Sequence, residues 1–424
     1  MVESMRGCSA SIFPARLMAC VLACVPACAS VDDTDSVAFV SAEAARELEF
    51  KRLPPIARVS PADFVADAKA KAAAQPESHF VDIYDKFGRL GFFPKTEDLR
   101  GDSSVAESKA GALYSSVTKR VSLVGSPEAY VLIHELVHAL QDQHFDLTTF
   151  KRTELSTDER LARSALVEGD ARIASWRWLV SSAGRDPLRD IPLRLTPADI
   201  EDESLARITG SATVAPYFLA ELSFAYTFGA AYVAEQIGLL REAPAWQYAN
   251  IDALFVSRPP VSTQEVIRRG VGVDPIVPVG LTRMPADLQD RLEVDDVDRI
   301  GEWHTFLLLY RAASSLVALR QLSSAWDGDQ LVVLRERDPS VPPREDVRHG
   351  VLWTSAWDDA SAASEVARLL VAVHQATVDA VEPRLFRADD GEPLWLEQRD
   401  DRVALVRNLD AADMQKLAAA ALGD

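Results

Sequence analysis

The feature that most constrains this chain is His134-Glu135-Leu-Val-His138, an H-E-x-x-H sequence inside a long apolar run. The run has the character of a helix, and Ser126 and Pro127 before it are residues that commonly begin one. Helical residues four positions apart project from one face, as two imidazoles must to bind a single zinc ion. Glu135 then falls beside the metal, where it can take a proton from the attacking water.

An ordinary amphipathic helix with two histidines is the alternative interpretation of this motif. The residues between and around the two histidines are apolar, and the chain has only 7 histidines in 424 residues. Two of these histidines and a glutamate in a buried helix would lose hydration free energy without compensation unless they bound a partner such as a metal. The sequence therefore predicts a zinc site on this helix.

Two residues compete to be the third zinc ligand, and the first of them is Glu168. It lies 30 positions after His138, in a second predicted helix that can return to the first. Gly169 would allow the two helices to pack closely, and Asp170 could orient a ligand from behind. The alternative for Glu168 is an ordinary surface ion pair with Arg172, four residues further along the same helix.

The second candidate is His144, six residues after His138, which is the spacing of the last histidine in the pattern H-E-x-x-H-x-x-G-x-x-H. That pattern needs a glycine where this chain has Gln141, a good helix former. If the helix simply continues, His144 points about 240° away from His138 and off the metal face. We therefore predict that Glu168 completes the site.

The segments His134–Phe145 and Ala165–Ala171 resemble a group of exported bacterial and archaeal proteins of the gluzincin type, in which HExxH and a downstream glutamate bind zinc. This resemblance implies a zincin-like catalytic region and zinc-dependent hydrolysis of peptide bonds. The group often has a histidine where this chain has Arg268-Arg269, so the role of that histidine does not carry over. The similarity extends to Phe224–Gly229, Arg258–Glu265 and Trp326–Asp329.

A hydrolysis of this kind also needs a hydrogen-bond donor for the oxyanion. Tyr226 is the first candidate, and the alternative is a tyrosine that only packs in a core helix. His304 and His349 are further candidates. The apolar run over residues 216–240 that contains Tyr226 is interrupted by two glutamates, so it predicts a buried helix rather than a membrane span.

Residues 1–28 are typical of an export signal, with basic residues, a short apolar stretch and small residues near the end. Val25-Pro-Ala-Cys28 is similar to a lipobox, whose cysteine becomes lipidated, whereas Ala27-Cys28-Ala29 fits ordinary signal-peptidase cleavage. We predict a cell-envelope lipoprotein anchored at Cys28, with a periplasmic or secreted protein as the alternative. All 4 cysteines lie in this leader, so the mature chain has no disulfide.

The formal net charge of −19 argues against nucleic acid or an anionic membrane surface as a partner. The predicted partner is a peptide or protein substrate, with membrane contact only through the lipid anchor at Cys28. Apolar residues make up 48% of the chain, which is enough for the cores of two or three domains.

The order of predicted elements gives the α+β fold class, with a mostly helical first part and an antiparallel sheet at the end. Helices are expected at residues 40–51 and 61–74, and a β-hairpin between Gly111 and Val124. The hairpin either lines the cleft as an edge strand or only supports the metal helix. The predicted parts are the signal at 1–28, a helical and hairpin region at 29–125, the zinc-binding region at 126–294 and a C-terminal α+β domain at 295–424.

The C-terminal domain is predicted to begin with a helix over residues 301–322. Two strands, a helix from Ser361, two more strands and a final helix from Ala411 follow. This ββαββα order predicts an antiparallel sheet that helices cover on one face.

A structural zinc site in a non-catalytic cell-envelope binding or assembly protein is the alternative function. Structural zinc sites usually have four protein ligands and need no base, whereas this sequence offers three ligands and Glu135. We therefore predict a zinc metallopeptidase in which Glu135 is the general base. The predicted zinc ligands are His134, His138 and Glu168.

Overall fold

The computed structural model describes residues 31–74, 83–93, 111–152, 154–200, 203, 216–337, 348–379 and 382–423. Within these ranges the chain combines many helices with two sheets, which confirms the α+β class. The predicted export signal and its lipobox lie outside the described residues.

The helices dominate the first part of the chain, and most of the strands lie in the last third. The helices are α1 (Val31–Arg46), α2 (Pro61–Ala74), α3 (Ala129–Phe145), α4 (Leu147–Phe150), α5 (Thr157–Ser182), α6 (Pro187–Asp190), α7 (Pro216–Ile237), α8 (Tyr248–Val256), α9 (Thr263–Ile267), α10 (Gly301–Tyr310), α11 (Leu316–Ser323), α12 (Ala360–Val373) and α13 (Ala411–Leu422), with a π-helical turn at Tyr84–Gly88 and a 3-10 turn at Pro192–Arg194. The strands are β1 (Ile56–Val59), β2 (Ala112–Ser115), β3 (Arg120–Val124), β4 (Leu292–Asp298), β5 (Trp326–Glu336), β6 (His349–Trp357), β7 (Thr377–Val378), β8 (Leu385–Arg387), β9 (Pro393–Arg399) and β10 (Arg402–Arg407).

Three long helices carry the predicted site residues, and α5 lies between α3 and α7 and packs against both. Glycine permits a backbone-to-backbone approach of α5 to α7. A Cβ atom at Gly169 would lie far inside van der Waals contact with the carbonyl group of Gly229, and one at Gly229 would meet the backbone of Ala165. The close packing expected at Gly169 is therefore present, but its partner is α7 rather than α3.

The HExxH helix α3 is held by α1 and by a three-stranded sheet as well as by α5. In that sheet β3 lies in the middle, parallel to β1 and antiparallel to β2. The predicted hairpin is thus present, with β2 at the edge of the sheet. The first helix runs over Val31–Arg46 rather than 40–51, so it ends five residues earlier than predicted.

The C-terminal sheet has seven antiparallel strands among the described residues, in the order β4-β5-β6-β10-β9-β8-β7. Neighbouring residues of β5 face different cores. Leu331 and Val333 join the large core that includes α10 and α12, whereas Val332 and Leu334 pack with α13. Helices therefore cover both faces, and the prediction of a single covered face is wrong, because both faces of the inner strands are apolar.

The helix predicted over residues 301–322 is in fact two helices, α10 and α11, separated at residues 311–315. Ser315 begins α11 by accepting a hydrogen bond from the N–H of Ala318. The start of α10 is fixed by the buried carboxylate of Asp329, which accepts hydrogen bonds from the N–H groups of Ile300 and Gly301. A side-chain cap within the apolar stretch thus breaks the predicted helix.

α7 matches the apolar run predicted over residues 216–240. It lies in the largest apolar core, where Phe224 and Tyr232 are almost completely buried. No helix in the part of the chain that the structure describes is long and apolar enough to cross a membrane.

Gly169→Ala should force α5 and α7 apart, because the new methyl group meets the backbone of Gly229. We expect a loss in free energy of unfolding of about 2 kcal/mol or more, measured by urea denaturation. Gly111→Ala is the control, since a Cβ there would meet only Pro127 at 4.0 Å. Equal stability of Gly169→Ala and the wild type would contradict the close packing.

Candidate metal centre

His134, His138 and Glu168 come together between α3 and α5. The Nε2 atoms of the two histidines lie 3.0 Å apart. The Oε2 atom of Glu168 lies 3.3 Å from Nε2 of His134 and 3.2 Å from Nε2 of His138. Among the residues that the structure describes, these are the three side chains that converge as a metal site requires, and they are the three that the sequence predicts.

The three atoms fit a metal ion in spacing and in chemistry. Two imidazole nitrogens that each lie roughly 2.0–2.1 Å from a tetrahedral zinc ion are themselves about 3.3 Å apart. The observed 3.0 Å is close to that spacing. Two nitrogens and one carboxylate oxygen are also the ligand set of several catalytic zinc sites, which keep a fourth position for water.

The charges of the cluster are complementary. Burial by itself lowers the pKa of His138, but the Glu168 carboxylate outweighs this effect and raises that pKa to about 9. Burial by itself raises the pKa of Glu168, but His138 and His134 outweigh it and hold that pKa well below its usual range. A bound dication would take over the role of the imidazole proton and keep Glu168 ionised.

α3 does not begin as the sequence suggests. Its first residue is Ala129, so Ser126 and Pro127 lie outside the helix, and the preceding Glu128 provides no side-chain cap. The expectation that the helix begins at Ser126 and Pro127 is therefore wrong. Burial takes the place of the cap, because most of the helix, from Leu132 to Asp142, is packed inside the protein.

α3 continues without a break to Phe145, so the chain does not make the turn that would bring His144 back to the metal. The Nε2 atom of His144 lies 2.8 Å from the carbonyl oxygen of Glu49, and His144 is not part of the metal cluster. Arg172, the alternative partner for Glu168, binds the carboxylate of Glu203 instead. The geometry thus favours Glu168 over His144 as third ligand.

Gln141 lies behind His138 and was not predicted as a site residue. Its amide nitrogen donates to the carbonyl oxygen of Val167 at 3.0 Å and to Oδ2 of Asp170 at 2.9 Å. Its amide oxygen therefore faces Nδ1 of His138, 2.8 Å away, and this nitrogen must carry a hydrogen. This leaves Nε2 of His138 available to bind a metal, so Asp170 orients this candidate ligand through Gln141 rather than directly.

The β-hairpin holds Glu135 through a contact that the sequence did not indicate. The main-chain N–H of Tyr114 in β2 donates a hydrogen bond of 2.6 Å to the Glu135 carboxylate. The Tyr114 hydroxyl and the Lys119 ammonium both bind Asp142 at 2.6 Å, one turn below the motif. The hairpin therefore supports the metal helix, and its edge strand also lies beside Glu135.

Tyr226 lies against the metal cluster, as its predicted role requires. Its ring stacks on that of His134, with centroids 5.5 Å apart and 18° between the planes. Its hydroxyl oxygen is 3.4 Å from Nε2 of His134. The other candidate donors make different contacts, since His304 and His349 each lie close to a carboxylate outside the cluster.

The signals for the missed residues were weak in the sequence. Gln141 stands three positions after His138, a spacing that places two side chains on one helix face. Because glutamine is also a common surface residue of helices, this spacing alone does not identify it. Tyr114 acts through its main-chain N–H, which any residue except proline provides.

The family comparisons concern a different part of the chain. A domain of unknown function, DUF8575, matches residues 290–418, which include the C-terminal sheet and most of α13 but none of the metal centre. No curated protein and no solved structure matches the chain. Membership of the gluzincin group therefore stays a prediction.

Glu168→Ala should weaken zinc binding severely, by at least about 100-fold, since even outer-shell changes weaken metal binding about 10–100-fold. His144→Ala should leave most of the affinity, because His144 makes its contact outside the cluster. Competition with a chromogenic chelator measures both. The opposite result would indicate a metzincin-like site with His144 as ligand.

Proposed function

We propose that this protein is a zinc-dependent peptidase that acts outside the cytoplasm. The observation that supports this most directly is the convergence of His134, His138 and Glu168, with Glu135 next to the first of them on the same buried helix. A site with three ligands and an adjacent carboxylate suits catalysis better than a closed structural site with four ligands.

Each residue has a distinct role in this proposal. Bound zinc would polarise the scissile carbonyl and lower the pKa of water to about 7. Glu135, fixed by the N–H of Tyr114, takes the proton of the attacking water and delivers it to the leaving amine. The hydroxyl of Tyr226 donates a hydrogen bond to the oxyanion.

A peptide is the substrate class that the surroundings of the site favour. β2 is an edge strand, and the N–H of its Tyr114 points away from β3 toward Glu135. Extended peptides commonly bind by adding a strand to such an edge, which would bring a main-chain carbonyl close to the metal cluster. The strongly negative net charge also argues against nucleic acid as the substrate.

Glu135→Gln should keep one equivalent of zinc and lose about 10²–10⁴-fold in the hydrolysis of a broad peptide library, because the ligands remain and the base does not. His134→Ala and His138→Ala should lose the metal itself, measured by elemental analysis. Glu128→Gln is the control, since Glu128 is an exposed acid at the start of the same helix.

Two results would count against this mechanism. If Glu135→Gln kept most of its turnover, Glu135 would not be the base. If the wild type bound one equivalent of zinc but cleaved nothing under any condition, the non-catalytic envelope protein would be the better proposal.

We further propose that the protein is anchored to the cell envelope by lipid on Cys28. Labelled fatty acid should appear on the wild type and vanish in Cys28→Ala, and the variant should move from the membrane to the soluble fraction. Stable anchoring needs more than one acyl chain, since a single chain binds reversibly. A free N-terminus at Ser30 would show that the protein is secreted without an anchor.

A further inference from the structure

Arg46, the last residue of α1, is completely buried in spite of its charge. Its Nε donates to Oδ2 of Asp170 at 2.7 Å, and one terminal nitrogen donates to Oδ1 of Asp252 at 2.6 Å. The guanidinium also lies over the ring of Tyr248, 4.7 Å from its centroid. Such partners are necessary, because burial of an unpaired cation costs several kcal/mol.

The Asp170 carboxylate connects Arg46 to a metal ligand. The oxygen that accepts from Arg46 also accepts from the amide nitrogen of Gln141, whose own oxygen bonds to Nδ1 of His138. This line of hydrogen bonds, 2.7, 2.9 and 2.8 Å long, runs from α1 through α5 to α3. Arg46, Asp170 and Gln141 are each 0% exposed, so bulk water does not replace any of these bonds.

We propose that Arg46 is a positioning residue of the metal centre and that α1 stays with the mature protein. This inference rests on the proposed zinc site. Arg46 Nε and the amide nitrogen of Gln141 both donate to Oδ2 of Asp170, so the contact with Arg46 fixes the carboxylate toward which the Gln141 amide nitrogen is turned. Only with that orientation does the amide oxygen accept from Nδ1–H of His138, which leaves Nε2 for the metal.

The alternative for the N-terminal region is a pro-segment that is removed to activate the enzyme. Loss of α1 would leave Asp170, next to the proposed metal ligands, without its cation. It would also uncover the apolar faces of α3 and α5, against which Ala42 and Ala45 pack. Removal of α1 would therefore damage the metal centre rather than release it.

Arg46→Gln and Gln141→Leu each interrupt the line of hydrogen bonds, and each should weaken zinc binding by the folded protein about 10–100-fold. The double variant should bind zinc about as weakly as either single variant, because both changes break one pathway. Zinc affinity is measured by chelator competition at a temperature where circular dichroism shows each variant folded. The absorption spectrum of bound cobalt reports the geometry of the ligands.

Arg177→Gln is the matched control. Arg177 holds the same end of α1, through the carbonyl oxygen of Ala45 and the carboxylate of Glu47, without contact to Asp170. It should lower the melting temperature and leave the zinc affinity of the folded protein unchanged. If Arg46→Gln does not fold, Arg46→Lys keeps the charge and should show an intermediate zinc affinity.

Wild-type zinc affinity in both Arg46→Gln and Gln141→Leu would overturn the positioning role. N-terminal sequencing of the zinc-loaded exported protein should find a start before α1, and a start after Arg46 would overturn the claim that α1 is retained. The zinc measurements do not depend on hydrolysis. A wild type that binds zinc without cleaving peptides would therefore refute the peptidase proposal and leave this one standing.

Discussion

The geometry of the metal centre depends on how closely α5 approaches α7. Gly169 directly follows Glu168 and packs against the backbone of Gly229. The position of Glu168, the proposed third ligand, is therefore set by a contact between the main chains of α5 and α7. Tyr226 lies three residues before Gly229, and the same crossing places its ring against His134. One pair of glycines thus positions a ligand and the proposed oxyanion donor together, because no flexible side chain separates the helices.

Two buried carboxylates of the site are each held by a different part of the fold. β2 supplies the N–H that holds Glu135, and α1 supplies the cation that holds Asp170. Buried polar groups without partners cost free energy, so the helix that carries the motif is stable in this form only when the sheet and α1 are both in place. This dependence explains why the HExxH motif of α3 is surrounded by β2 and α1, which are distant from it in the sequence.

Local patterns in the sequence predicted the three side chains that converge, and they failed where distant residues decide the structure. The spacing of His134 and His138 on one helix face is a local property, and the helical character of α3 through Gln141 argued against His144 as a ligand. Arg46 is 124 positions away from Asp170, and no local pattern connects them. The second covered face of the C-terminal sheet did have a signal, because the unbroken apolar run Leu331–Leu334 is typical of a strand buried on both sides.

The C-terminal region and the metal centre are also mechanically linked, although the two lie in different parts of the sequence. The first turn of α5 is fixed by the end of β4, where the carboxylate of its last residue, Asp298, accepts from the N–H and hydroxyl of Thr157. Asp158 in turn binds Arg299 and the N–H of Thr263. Thr157, Asp158, Thr263 and Asp298 are buried, and their contacts set the position of the helix that carries Glu168 further along. The region matched by the domain of unknown function therefore anchors one end of the ligand-bearing helix, so its packing and the geometry of the proposed zinc site cannot vary independently.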